Sequence, residues 1–275
     1  MKKQARTNKL LIIGLCLLFT HLPLKATTPM GELWGTRFAA AFEYEPVKNL
    51  QLSLSEEMRF GGYDILDCLY SELGITYKPL SFLQLGLSYT AIANFKGNTD
   101  LPLHKTNYTT DLRHRATFDL TFSLKANQWK FSLRERVQAT YRTTAVNLFE
   151  QPQTTWVLRS RLKASYKPRK HPIEPYLYIE PRLLMNGALW NTQNNLETAT
   201  FIGHKDAYLN RYRFSLGTEW QVSDHNALDF YIIYDLLQDK EITAANNHHT
   251  AQLTTPISMQ TNHYLAVCIA YTFSL

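Results

Sequence analysis

The sequence predicts an all-β protein folded as a single antiparallel transmembrane β-barrel of ten to twelve strands. Three observations predict it. Apolar and polar residues alternate with a period of two along nearly the whole chain after residue 33, which is the strand repeat. The connections are short and long in turn, as expected of short periplasmic turns and long external loops. Aromatic residues bracket the apolar faces at both ends, as two membrane interfaces select.

The N-terminus reads as an export signal. Lys2, Lys3, Arg6 and Lys9 precede the apolar run Leu10–Phe19, Pro23 breaks it, and Ala26 offers a small residue for cleavage. The run is too short to span a bilayer as a helix. The expected division is a cleaved signal peptide over 1–26 and a barrel domain over 27–275, exported to the outer membrane of a Gram-negative bacterium. An uncleaved N-terminal anchor is the alternative. Of the 29 basic residues, residues 1–26 hold five and no acid, which leaves 24 basic against 23 acidic residues. A near-neutral chain lacks the global field that draws in phosphate backbones, so no nucleic-acid partner is expected. Cleavage also removes Cys16. Cys68 and Cys268 are too few for a disulfide framework or a zinc site and read as small buried thiols.

The strands follow in order. Trp34, Phe38, Ala40, Phe42 and Tyr44 oppose Arg37, Glu43 and Glu45. Leu50, Leu52, Leu54, Met58 and Phe60 oppose Gln51, Ser53, Glu57 and Arg59. Leu69, Leu73, Ile75 and Tyr77 oppose Tyr70, Glu72 and Lys78; Leu83, Leu85, Leu87 and Tyr89 oppose Gln84 and Ser88. Alternation centres next on Phe118, on Leu133, on Leu158 and on Leu177. It returns around Phe214 and Ile232, and closes with Leu265 to Leu275. Pro46–Asn49, Pro79–Ser81, Ala126–Gln128, Lys167–Pro172 and Ser223–Asn226 are the short connections. Asn94–Asn107, Arg142–Gln153, Leu184–His204 and Asp239–Gln260 are the long ones.

Alternation alone does not say which face points outward, and a soluble barrel would turn its apolar face inward. The membrane arrangement is favoured by two aromatic belts: Tyr44, Tyr77, Trp129, Tyr166 and Trp220 beside the short turns, and Phe60, Tyr89, Tyr141 and Trp156 towards the long loops. The last strand carries Tyr271 and Phe273 near the terminus, a feature that barrel-insertion machinery reads. Eleven strands are legible, and the first and last run the same way. Bacterial barrels are ordinarily even-numbered, so the expectation is ten or twelve strands, with a short strand hidden in 27–33 or in a long loop, unless the seam is unusual.

Short motifs in a fixed order add a family. They are Leu33-Trp34, Leu52-Ser53-Leu54 through Arg59, Arg113-His114-Arg115, and Phe131 through Arg136. Leu158 through Lys163, Arg211-Tyr212-Arg213 and Leu216 through Glu219 complete them. Over roughly residues 33–275 the chain resembles the outer-membrane barrels catalogued as domain of unknown function 2490. The resemblance implies one barrel in a Gram-negative outer membrane and brings no activity.

The polar parity is the candidate site. It carries a basic cluster of Arg113, Arg115, Arg134, Arg136, Arg159, Arg161, Arg182, Arg211 and Arg213, with Lys163. Its acidic partners are Glu43, Glu57, Glu72, Glu174, Glu180, Glu219, Asp229 and Asp235, expected as an acidic wall across the lumen. Ion pairs between the two would plug the interior; an unfilled interior would be a narrow pore whose arginines favour small anionic solutes. The alternative is a lipid-active hydrolase. His114, Glu135 and Ser160 lie on the lipid-facing parity of consecutive strands, and a base, a carboxylate and a hydroxyl are the parts of nucleophilic catalysis. Glu56 shares that parity without such partners. His248-His249 sits in a loop with no third ligand at a diagnostic spacing, so no metal or other cofactor is expected. Trp190 and Phe201, in a long connection, are candidates for an external ligand. The other expected partners are outer-membrane lipid and the insertion machinery.

Overall fold

The computed structural model describes residues 34–61, 66–96, 109–169, 171–192, 199–247 and 250–275. The export signal, the supposed short strand in 27–33, most of the Asn94–Asn107 connection and His248-His249 lie outside the described residues.

Each alternating segment is a strand. They are β1 (Trp34–Val47), β2 (Leu50–Gly61), β3 (Leu66–Leu80), β4 (Leu83–Lys96), β5 (Thr109–Ala126) and β6 (Trp129–Arg142). Then come β7 (Thr154–Tyr166), β8 (Ile173–Asn191), β9 (Thr200–Ser223), β10 (Asn226–Glu241), β11 (Ala244–Asn247), β12 (Thr250–Leu253) and β13 (Ser258–Ser274). Neighbours in sequence pair antiparallel from β1 to β10, and β13 follows β10, so that eleven strands close a barrel. β11 and β12 form a separate hairpin.

The count lies between ten and twelve but is odd, and the seam accounts for it. β1 pairs with β13 in parallel, Trp34 with Leu265 through Glu43 with Ser274. Glu45 N donates to Leu275 O at 3.1 Å and Leu275 N to Glu43 O at 2.9 Å, extending the seam to the terminus. A parallel closure needs no further strand, because two strands that run the same way can still exchange slanted hydrogen bonds.

The short connections are the tight turns that the sequence predicts. Asn49 (φ 71°) and Asn127 (φ 55°) take up the left-handed conformation within them, which Asn tolerates better than most residues. Two of the long connections are shorter than expected. β8 and β9 continue as a paired ribbon to Asn191 and Thr200, well into the supposed Leu184–His204 loop. The Asp239–Gln260 segment contains the end of β10, the β11–β12 hairpin and the start of β13. Register shifts between Arg182 and Trp190 bend the β8–β9 ribbon where it leaves the barrel, the usual work of bulges at a rim.

The faces are inverted relative to a soluble barrel. Leu124 is 68% exposed, Leu87 62% and Leu73 59%, whereas Glu180 is fully buried. The apolar parity faces out on every strand and the charged parity faces in. A small apolar cluster of Ile233, Ala266 and Cys268 lies within the barrel on β10 and β13, and the larger one caps the long-loop end. There Ala188, Trp190, Ala199, Ala244 and Leu253 pack with Phe149, Phe201, Ile242 and Ile257. Asn147 Nδ2 donates to Ala244 O at 2.8 Å and Ala244 N donates to Glu150 Oε1 at 2.9 Å, tying the β6–β7 loop to β11.

Candidate functional site

Inward parity brings the charged residues together, and register decides which of them meet. Across four neighbouring strands Arg136 lies opposite Arg159, Arg159 opposite Arg182, and Arg182 opposite Arg211. Arg134 likewise opposes Arg161, and Arg113 opposes Arg142. Like charges directly opposite on a sheet repel, so this basic rung requires anions.

Glu180 supplies one. It is wholly buried, and Arg159 donates to its Oε1 at 2.5 Å and Arg161 to its Oε2 at 2.7 Å. Arg134 and Arg211 reach it at 3.3 and 3.5 Å. Asp235 holds Arg213 through a two-pronged pair, Nε to Oδ1 and Nη2 to Oδ2, both 2.7 Å. Asp119 holds Arg136 in the same way at 2.5 and 2.6 Å. Glu57 pairs with Arg59 at 2.5 Å and Asp111 with Arg113 at 2.5 Å. Asp119 and Asp111 are members of this network that parity counting left out as partners; the signal was the cross-strand match of Asp119 with Arg136.

The opposing acidic wall is not what forms. The carboxylates that pair do so with arginines on their own strand or one or two strands away, and several others collect at the short-turn end. Glu174 lies opposite Glu219, and Glu219 opposite Asp229. Ser165 donates to Glu174 at 2.6 Å and Tyr176 Oη to Asp229 at 2.8 Å. Lys163 Nζ sits 3.7 Å from the centre of the Tyr176 ring. Glu43 accepts from Ser274 beside the last turn, and Glu72 accepts from Thr90 at 2.9 Å. Charge is thus layered along the axis, because hydrogen-bonded register places like residues of successive strands at one level.

Between the layers Tyr176, Tyr178 and Tyr231 narrow the lumen. A Cβ on Gly217 would meet Tyr231 at 2.5 Å and Tyr176 at 2.7 Å, so only glycine leaves room for these rings. Three cavities adjoin from the level of these rings towards the long-loop mouth. The central one, about 270 Å³, shares Arg59, Arg115, Arg159 and Arg213 with a second of about 270 Å³. The second shares Arg142, Thr155 and Arg182 with a vestibule of about 500 Å³ at the long-loop mouth.

A family model described as Protein of unknown function (DUF2490) matches residues 34–246. The chain belongs to this family. The match runs from β1 into β11 and stops short of β13, the strand that closes the DUF2490 barrel. No curated protein matches the chain. Among solved structures it is similar to the copper transporter OprC, at 8% identity and a TM-score of 0.33, over 86% of this chain and 42% of that one. The chain thus spans less than half the length of that protein.

On the outer face of this family member, the three residues of the hydrolase alternative do not meet. Ser160 donates to Glu135 Oε2 at 2.6 Å across the β6–β7 pair. His114 is elsewhere: the β5 residue level with Glu135 is Leu120, and six further residues amount to about 20 Å. His114 instead stacks on Tyr89, with Nδ1 2.5 Å from the phenol oxygen. Both strands leave the same tight turn, where Ala126 faces Trp129, and His114 lies twice as far along β5 from it as Glu135 lies along β6. Glu56 proves to have a partner after all, Ser71 at 2.8 Å. Both outward carboxylates are therefore satisfied by a serine across the strand pair. Trp190 and Phe201 form no ligand platform, since Trp190 is 6% exposed and packs in the capping cluster. Among the described residues no three His, Cys, Asp or Glu side chains group as a metal site.

Proposed function

We propose that the chain is an outer-membrane β-barrel that admits small anions through a narrow, arginine-lined lumen. The carrying observation is the run of adjoining cavities from the long-loop mouth to mid-barrel: the vestibule is of mixed charge, with Glu150, Asp206, Asp239 and Glu241 beside Arg142, Arg182 and Lys240, and the two deeper cavities are walled by arginines that outnumber their carboxylates. The deeper wall lowers the energy of an anion and raises that of a cation, and the voids beside it support an interior that its ion pairs do not fill completely.

The membrane setting is supported by the outward apolar face and by exposed aromatics at both ends. Tyr44, Tyr77, Trp129 and Trp220 belt the short-turn end, and Tyr89, Tyr141 and Trp156 the other, each between 42 and 48% exposed. Export by a signal peptide, the Gram-negative setting, surrounding outer-membrane lipid and assembly by insertion machinery belong to the same reading. The test is single-channel recording of refolded protein in a planar bilayer. Discrete conductance steps are expected. A barrel that inserts, judged by heat-modifiable migration and protease resistance, yet stays silent would overturn the pore and leave a structural role.

A further inference from the structure

We infer that the second cavity is a binding site for a multivalent phosphate-type oxyanion, entered from the long-loop mouth. The inference deepens the proposed function, because access to the site rests on the membrane orientation given above.

Eight arginines and no carboxylate line this cavity. Four of them are held by acids just outside its wall or on its rim: Arg59 by Glu57, Arg113 by Asp111, Arg159 by Glu180 and Arg213 by Asp235. Arg211 has only long contacts, 3.5 Å to Glu180 and 4.0 Å to Asp235, and its Nε is buried without a partner. Arg115 donates to the neutral Thr140 at 3.0 Å, and Arg142 donates to Gln151. Arg182 stands between Arg159 and Arg211 in the rung; among the described residues no carboxylate lies within ion-pair distance of it, and Asp239 shares only the vestibule side of its wall. Glu180 is meanwhile shared with Arg134 and Arg161, which face the central cavity. The cavity wall therefore carries several positive charges more than its acids balance.

Guanidinium groups held close together in a partly desolvated space repel unless an anion joins them. One chloride would balance one charge without using the donor geometry. A phosphate carries up to two charges and offers tetrahedral oxygens that match several guanidinium forks at once. Thr140, Thr155 and Gln138 on the same wall add neutral donors for the remaining oxygens. The site lies inside the barrel, so a headgroup in the surrounding bilayer does not reach it and the ligand is a free solute.

The test titrates inorganic phosphate into the refolded full-length barrel in detergent and reads Tm, with acetate and chloride at matched ionic strength. Millimolar phosphate should raise Tm by several degrees in a saturable way, as a ligand of the native state does, with acetate and chloride giving much less. Phosphate also stabilises proteins generally as an excluded salt. A double variant, Arg115→Gln with Arg182→Gln, separates the two effects: it should fold and weaken the apparent phosphate affinity about tenfold or more. Lys125→Gln, at the short-turn end of β5 and away from the cavity, should keep the full shift. A phosphate shift no larger than that of acetate, or one that survives in the double variant, would overturn the site. The reading is an equilibrium one. A phosphate shift in a silent barrel would sustain the site and remove the pore, and conduction without a shift would do the reverse.

Discussion

Two levels of one lumen show what register does to charge. At the upper level, β6 to β9 place Arg136, Arg159, Arg182 and Arg211 side by side. At the lower level, β8 to β10 place Glu174, Glu219 and Asp229 side by side. Eight residues of β8 separate Glu174 from Arg182, about 26 Å of strand. The lower level finds neutral donors, Ser165 and Tyr176, near the open end of the barrel. The upper level leans on one buried glutamate, and Arg182 has no carboxylate within ion-pair distance among the described residues, its nearest acidic company being Asp239 on the vestibule wall. The difference teaches that opposite charges can sit at separate levels of one barrel interior even where another level, Glu180 with Arg213 and Asp235, is paired, and that ions respond to the levels.

The comparison can be broken most forcefully at Glu180. Glu180→Gln removes the shared counter-charge of Arg134, Arg159 and Arg161. Breaking one side of a buried ionic network costs about 3–5 kcal/mol. The expected result is a large fall in the urea midpoint of unfolding from detergent or vesicles, and a midpoint within error of wild type would deny Glu180 its role as keystone. Gly217→Ala comes next. Its methyl group would strike Tyr176 and Tyr231, and overpacking of this kind costs about 1–3 kcal/mol, read by the same titration. An unchanged midpoint would mean that the tyrosines do not pack over Gly217 as described.

Arg182→Gln sharpens the contrast because its sign is reversed. Removing a guanidinium that faces two others relieves repulsion worth about 0.2–1 kcal/mol, so the variant should unfold at equal or higher urea in phosphate-free buffer. A marked loss of stability would show that Arg182 has a partner after all. The smallest effect is expected on the outer face. Ser160→Ala takes one hydrogen bond from Glu135, a change of about 0.5–1.5 kcal/mol. Conductance should stay as it was, and reconstituted protein should show no lipase activity for the substitution to abolish, since His114 is remote from the pair.

Much of this was legible in the sequence, and the reason differs from element to element. Parity is a local property with a period of two, so Arg159, Arg161 and Lys163 could be assigned to one face of β7 from spacing alone. The aromatic belts were readable because Trp129, Trp220 and Tyr77 sit a fixed distance from turn residues. Register is not local. It depends on barrel stagger, so the Arg159–Arg182–Arg211 row and the layering of charge emerged only from strand pairing, whereas the separation of His114 from Glu135 follows from counting along the two arms of the β5–β6 hairpin. The outer parts of β8 and β9 were hidden because bulges between Arg182 and Trp190 break the alternation. The β11–β12 hairpin was hidden because Ala244–Asn247 and Thr250–Leu253 are short and mostly polar or small. The parallel seam was foreshadowed by the odd count, since first and last strands that run the same way close a barrel only in parallel.

The most direct test of the account is the reversal potential across a salt gradient, measured on wild type and on Arg182→Glu. Arg182 stands in the basic rung with no carboxylate within ion-pair distance among the described residues, and it lines both the second cavity and the vestibule, so its charge acts on whatever passes. Wild type should reverse on the anion-selective side, and Arg182→Glu should move the potential towards zero or to the cation side. A cation-selective wild type, or a reversal potential indifferent to the charge at position 182, would contradict the claim that the unbalanced arginine layer governs what enters the barrel.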